Sequence, residues 1–466
     1  MIKRTLGQLA TMIKVVNDVT KFQDIEIAGV SFDTRLINPG TLFVPLKGDA
    51  NDGHKYVDTA FEKGAAAVLW QKDVPNPPEH APVLIVEDTL SALQDLAHSY
   101  RKQTSAKVIA ITGSNGKTTT KDIVASVFSE NYKVHKTDGN FNNHIGLPLT
   151  ILAMEETTEI AILEMGMSGK GEISLLTRIA QPDAAIITNI GEAHLQDLGS
   201  RDAIANAKLE IIEGLPKNGL LIYPGNEPLL VKKISNLKQF NTCTFGETSE
   251  NDIYAVDITI GEDGSSFVVP GLSDEPFFLS IAGKHNIMNA LAAILAAKEF
   301  LISPSSIQAG LKSVKLSNMR MEWHDGIKGT RILNDAYNAS PTAMRAVISM
   351  VENMLEDRAK IVVLGDMLEL GDKEVEFHEQ IGEGLDPSKI KYVFTYGSLA
   401  KNIASGARLH FPEERIFEFE DKEKLINVLK EKIEGNELIL FKASRGVKLE
   451  EVVNTMVIKN EPKNIY

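Results

Sequence analysis

The chain is nearly free of cysteine. One residue, Cys243, stands in 466, which excludes an internal disulfide and a cysteine-built zinc centre. Its side chain is expected to be small and buried. Long apolar runs are also missing: nothing approaches the ~20 residues that span a bilayer. The opening MIKRTLGQLATMIKVV has no continuous apolar segment of the signal-peptide kind. Positive charge is scarce, with 49 Lys and Arg against 63 Asp and Glu and a net charge of −14. That balance excludes a broad nucleic-acid surface but leaves room for a local anion site. There is no fixed-period repeat and no low-complexity tract. These absences describe a soluble protein of a reducing compartment, the cytoplasm. Hydrophobic residues make up 43% of the chain, enough for real cores, and the length suggests about three domains.

The organising stretch is KVIAITGSNGKTTTKDIVASVFSE, residues 107 to 130. Val108 to Ile111 reads as a buried strand, and Ile123, Val124, Val127 and Phe128 recur at helical spacing. Between them lie Gly113, Ser114, Asn115, Gly116, Lys117, Thr118 and Thr119. Strand, glycine loop, Lys-Thr and helix together form a phosphate cradle. Backbone N–H groups close on the oxygens, Lys117 neutralises charge, and Thr118 can hold Mg²⁺. Ile111 stands where the common pattern has its first glycine, so the loop is a shorter variant, T-G-x-x-G-K-T.

Residues 1–103 form a first unit, with strands at 41–48, 65–70 and 83–86. Its polar residues Ser31, Thr34, Arg35, Lys47 and His54 sit at strand ends and turns, and by themselves read as turn chemistry. A helix from Leu90 to Tyr100 leads into a polar linker, Arg101 to Ser105. The central unit, 104–314, contains a polar loop, Thr137 to Pro148, with Asn140, Asn142 and Asn143. Strand 160–164 ends in Glu164, and a second strand leads to His194. Both lie where parallel sheets bind ligands. Met165 and Met167 read as core. Lys208, alone on a helix spanning 204–212, reads as a solvated charge. An excursion is expected around 247–264. Asn286 and Asn289 precede a helix from Ala290 to Leu301, as N-caps or as readers of a base edge. The third unit, 315–466, alternates strands and helices, including a helix from Pro341 to Leu355. That pattern predicts a mostly parallel, doubly wound sheet. The fold class is α/β throughout, with a hinge near 313–318.

A cradle, a carboxylate and a histidine at adjacent strand ends suit activation of an acid. A carboxylate can attack a γ-phosphate to give an acyl phosphate. The repulsion of two anions at ~4 Å is on the order of several kcal/mol. Mg²⁺ and Lys117 offset it, with Glu164 and the Thr118 hydroxyl as hard oxygen ligands. A hydrolase or a kinase needs the same cradle, so the loop alone does not choose.

These motifs resemble the Mur ligases of bacterial cell-wall precursor synthesis, over the whole chain. The resemblance implies three domains: a small UDP-binding one, a central P-loop-type ATPase, and a Rossmann-like C-terminal one. It makes 113–119 an ATP loop and the Asn140, Asn142 and Asn143 segment a muropeptide loop. That family usually has an acidic residue where His144 stands. It makes Glu164, His194 and a carbamylated Lys208 magnesium ligands beside Thr118, with two ions implied, and so reverses the bland reading of Lys208. Lys117, His194 and Lys208 become catalytic. Asn286 and Asn289 go to the adenine, and Arg320 and Asp335 close on the nucleotide. Ser31, Thr34, Arg35, Lys47 and His54 go to the uridine diphosphate. Asn334 to Pro341, Leu364 to Gly371 with His378, and Lys442 to Gly446 resemble the member that adds D-alanyl-D-alanine. Tyr337, Asn338, Ser340, Ser444 and Arg445 then contact that substrate. The diamino-acid-adding member would show Asp-Asn-Pro-Arg, which is absent. The implied partners are UDP-N-acetylmuramoyl-tripeptide and D-alanyl-D-alanine, bound by a monomer. The alternatives are the diamino-acid-adding activity and a muropeptide-binding regulator without turnover.

Overall fold

The computed structural model describes residues 1–48, 51–354 and 358–458. Three mostly parallel sheets follow one another along the chain. The first has four parallel strands, Val30–Ser31, Leu42–Phe43, Ala67–Gln71 and Val83–Val86. The second has seven, in the spatial order Ile253–Tyr254, Asn241–Gly246, Leu220–Pro224, Ala184–Ile187, Lys107–Thr112, Ile160–Glu164, Val134–Lys136. A three-stranded antiparallel sheet, Val256–Gly261, Gly264–Val269 and Ser273–Leu279, flanks it. The third runs Glu322–Asp325, Arg331–Asn334, Glu437–Lys442, Ala359–Gly365, Ile390–Tyr396, Ile416–Phe419, and only its first strand is antiparallel.

The central strands of the seven-stranded sheet are buried on both faces, which is why they read as unbroken apolar runs. Ile109, Ile111 and Ile162 face the helices Lys117–Ser129 and Lys284–Glu299. Val108, Ala110 and Leu163 face the helices Thr89–Gln103 and Glu172–Ala180, with Met165 and Met167 in the same core. The third sheet is doubly wound. Pro341–Asn353 and Glu374–Glu383 cover one face, and Lys422–Lys432 and Glu450–Met456 the other.

Several expectations are corrected. The segment from Arg101 is not a loose linker. The helix runs to Gln103, and buried Arg101 donates to Ala180 O at 2.9 Å, tying the first sheet to the second. Gly146 to Pro148 opens the helix Gly146–Ala153, because proline is tolerated in a first turn. The long apolar helix starts at Lys284, not Ala290, and Leu301 lies beyond its end at φ 60°, exposed. The strand expected over 41–48 is only Leu42–Phe43. Cys243 is half-buried, and burial pushes its thiol up to about 11. The helix expected to reach Leu355 ends at Asn353, and Leu355 lies outside the described residues. No described helix is long and apolar enough to cross a membrane.

Candidate active site

The strand Lys107–Thr112 runs straight into the loop and the helix Lys117–Ser129. Gly116 begins that helix at φ 78° and no side chain caps it, so its first N–H groups stay open to an anion. Both glycines are also forced by close approach. A Cβ on Gly113 would lie 1.8 Å from Thr188 Oγ1, and one on Gly116 would lie 2.5 Å from Asn289 Oδ1. Lys117 Nζ donates to Gly113 O at 2.8 Å, which curls the side chain over the loop. Burial lowers its pKa, against the pull of the Glu164 carboxylate. Thr118 and Thr119 are buried at the helix start.

Glu164 ends the neighbouring strand. Its Oε1 accepts from Asn142 Nδ2 at 2.8 Å, and its Oε2 is buried with no partner. His194 follows the strand on the other side, in a left-handed turn. Burial, then the charges of Lys117 and Lys208, lower its pKa to about 4. Glu369 Oε2 comes within 2.9 Å of His194 Nδ1, but out of line with a ring N–H. Lys208 is 1% exposed, not solvated. Burial, then the Lys117 charge, push its pKa well below the ordinary lysine value. Its charged form is thus disfavoured beside the Lys117 cation.

A cavity of ≈ 300 Å³ extends from the loop. Asn286 and Asn289 line it from inside their helix, so the N-cap reading fails; Gly283 holds that place. Arg320 and Asp335 line the same cavity from the third sheet's side. Arg320 stacks on Tyr337 at 4.2 Å, and Asp335 accepts from Lys442 Nζ at 2.5 Å. The Asn338 carbonyl also accepts from Lys442, at 3.1 Å. Ser340 Oγ donates to Asn115 Oδ1 at 2.9 Å.

Eight buried side-chain nitrogen or oxygen atoms among the described residues lack a hydrogen-bond partner. Five belong here: Ser114 Oγ, Asn115 Nδ2, Glu164 Oε2, His194 Nδ1 and Arg320 Nε. Folded proteins rarely leave such atoms bare. Their concentration marks a polar ligand site.

The chain matches three family models end to end: the Mur ligase family catalytic domain over 26–101, the Mur ligase middle domain over 111–297, and the Mur ligase glutamate ligase domain over 319–445. It is 52% identical over 457 residues to the UDP-N-acetylmuramoyl-tripeptide--D-alanyl-D-alanine ligase of Bacillus subtilis, covering 98% of this chain and 99% of that one. The chain belongs to the Mur ligase family. Among solved structures, MurF from Acinetobacter baumannii superposes with a TM-score of 0.88 at 28% identity, over 97% of this chain and 98% of that one. A MurF ligase from Thermotoga maritima in complex with ADP gives 0.80 at 30% identity, over 92% and 96%.

In this Mur ligase, other expected contacts are spread more widely. A separate cleft of ≈ 420 Å³ in the first unit is lined by Thr34 and Arg35 with Phe32 and Tyr56. Ser31 and His54 do not offer themselves to it. Ser31 Oγ is engaged at Asp33, and His54 holds Asp52 at 2.6 Å through Nδ1 and accepts from Gln71 N at 3.1 Å through Nε2. Lys47 points to Asp73, 3.8 Å away. Asn140 is exposed, while Asn143 Oδ1 accepts from Ile145 N and Gly146 N as a turn. Ser444 is buried, accepting from Leu368 N at 3.0 Å, so it fastens two loops together. Arg445 pairs with Glu450 at 2.8 Å. Sequence reasoning missed Lys442, although it opens a motif quoted above. It also missed Glu369, Phe32 and Tyr56; half-exposed aromatics beside a turn were the available signal.

Proposed function

We propose that this chain joins D-alanyl-D-alanine to UDP-N-acetylmuramoyl-tripeptide at the expense of ATP, in the cytoplasm. Residues 1–103 hold the uridine end, 104–314 the ATP, and 315–466 the dipeptide. The observation that carries the reading is the shared cavity: Arg320 and Asp335 line it together with the phosphate loop. The sheets therefore meet around one nucleotide-sized space, as a ligase with two further substrates requires.

The bare Glu164 Oε2 fits a divalent cation, and the buried Lys208, whose charged form is disfavoured, fits carbamylation into a further oxygen ligand. Thr118, Glu164, His194 and carbamylated Lys208 would hold Mg²⁺, which when bound neutralises phosphate charge. The open N–H groups at Gly116 and the Lys117 ammonium hold the γ-phosphoryl group. The tripeptide carboxylate attacks phosphorus, and ADP leaves. The dipeptide amine then attacks the acyl carbon and loses a proton. The new C–N bond replaces the C–O bond to phosphate, which departs. Arg320, stacked on Tyr337, keeps its charge directed at the nucleotide.

ADP release should require the tripeptide substrate and D-alanyl-D-alanine together, and L-lysine or diaminopimelate should not replace the dipeptide. Equal turnover with a diamino acid overturns the proposal. Lys208→Ala should lose about a hundredfold in kcat, with partial rescue by short carboxylic acids; unchanged turnover removes the carbamate.

A further inference from the structure

The phosphate loop has one side chain whose direction is set from another part of the chain. Asn115 N donates to Asn189 Oδ1 at 2.9 Å, and Asn115 O accepts from Thr188 Oγ1 at 2.5 Å. Its backbone is thereby fixed within the central sheet. Its side-chain amide is held only from outside, by Ser340 Oγ at 2.9 Å.

Ser340 has two jobs there. It caps the helix Pro341–Asn353 by accepting from Ala343 N at 3.4 Å. Its single hydrogen remains and goes to Asn115 Oδ1. With Oδ1 accepting there, the Nδ2 end of the amide points the other way. Asn115 Nδ2 is buried without a partner, and so is Ser114 Oγ, on a residue only 7% exposed. Both border Gly191, where a Cβ would lie 3.1 Å from Asn115 Nδ2 and 3.3 Å from Ser114 Cβ. The missing side chain at 191 leaves these two donors unobstructed. Donors left bare at the head of a phosphate cradle suit one ligand chemistry, the oxygen of a terminal phosphoryl group.

We propose that Ser340 is a positioning residue: it aims the Asn115 amide so that Nδ2, with Ser114 Oγ, donates to the terminal phosphoryl group of the bound nucleoside triphosphate. The loop is then a complete anion site only while the C-terminal sheet is seated on the central one. A triphosphate favours the seated state more than a diphosphate does. This rests on the ligase reading for its role in turnover, but the binding preference stands apart from it.

The test separates the two jobs of Ser340. Glycine is tolerated at a helix N-cap with little loss of stability and has no donor, whereas threonine both caps and donates. The full-length protein is titrated with a non-hydrolysable ATP analogue and with ADP. Wild type should prefer the analogue; Ser340→Gly should lose about ten- to a hundredfold of that preference with its melting temperature nearly unchanged. Ser340→Thr should keep it. Asn115→Ala should show the same loss, and the double variant should be no worse than Asn115→Ala alone. In turnover, Ser340→Gly should lower kcat and leave KM for the tripeptide substrate unchanged. Wild-type preference in Ser340→Gly, or additive losses in the double variant, overturns the proposal. Wild-type protein that shows the preference but forms no peptide bond overturns the ligase reading instead.

Discussion

The central and C-terminal sheets share one architecture, and both gather polar residues at their strand ends. They treat those residues differently. In the central sheet Ser114, Asn115, Glu164 and His194 each keep a buried atom without a partner. In the C-terminal sheet Asp366, His378 and Ser444 find their side-chain partners within their own unit. Asp366 accepts from Leu399 N at 3.0 Å and Ala400 N at 2.7 Å. His378 accepts from Met367 N at 2.9 Å and donates to Glu374 O at 2.6 Å. Ser444 bridges two loops. The same residue types at the same topological place thus keep open bonding capacity in one sheet and act as fasteners in the other. Position at a strand end nominates a residue; an empty lone pair or N–H elects it.

The contrast should break activity and stability apart. Lys117→Ala should abolish turnover by about a thousandfold or more, while its melting temperature holds or rises, since a half-buried, desolvated cation is lost. Asp366→Ala should do the reverse. Two backbone N–H groups, one buried and one part-buried, lose their acceptor, at a cost of about 2–4 kcal/mol in stability, with kcat per folded molecule little changed. Calorimetry and ADP release on both variants decide; a stable Asp366→Ala that is inactive would put this loop in the site.

The histidines sharpen the comparison through pH. Burial and two lysines hold His194 at about 4, below the 6.5 of a free imidazole. The folded state therefore refuses a proton that the unfolded chain accepts. Stability from this residue is complete above pH 6.5 and is lost as pH falls from 6.5 toward 4, by up to about 1.4 kcal/mol per pH unit. With chelator present, His194→Gln should flatten the stability profile over that window and leave it unchanged above. An unchanged slope in the acid range would show that His194 protonates freely in the fold.

The legibility of each part follows from how local its cause is. The phosphate loop was readable because strand, glycines and helix are consecutive, and the doubly wound third sheet because its periodicity is local. Glu164 and His194 were readable because parallel sheets expose their C-terminal ends. Lys208 was not readable from its own surroundings: a lysine on a helix of mixed polarity gives no local sign that the helix face is buried, and only the resemblance marked it. The internal bonds of His54 and Ser444 are hidden for a related reason. Their partners, Gln71 N and Leu368 N, are 17 and 76 residues away, so nothing nearby shows that they are already engaged.

The same distance hides what anchors the hinge. The segment 313–318 was expected to swing, yet its Ser317 donates to Asp122 Oδ2 through both N and Oγ, each at 2.9 Å. Asp122 lies in the phosphate helix, its side chain wholly buried and paired with Lys136 at 2.6 Å. Ser313 Oγ also approaches Ser126 Oγ, on the same helix, at 3.1 Å. The pivot is therefore hung on the element whose first turn cradles phosphate, which gives the central sheet a direct hold on the orientation of the C-terminal one. Ser317→Ala removes one of the two bonds and keeps the backbone one, so the expected loss is small, about 1 kcal/mol. It should appear as a broader spread of interdomain distances by small-angle scattering or paired spin labels, with the melting of each unit unchanged. A distance distribution identical to wild type would mean that the backbone bond alone fixes the pivot.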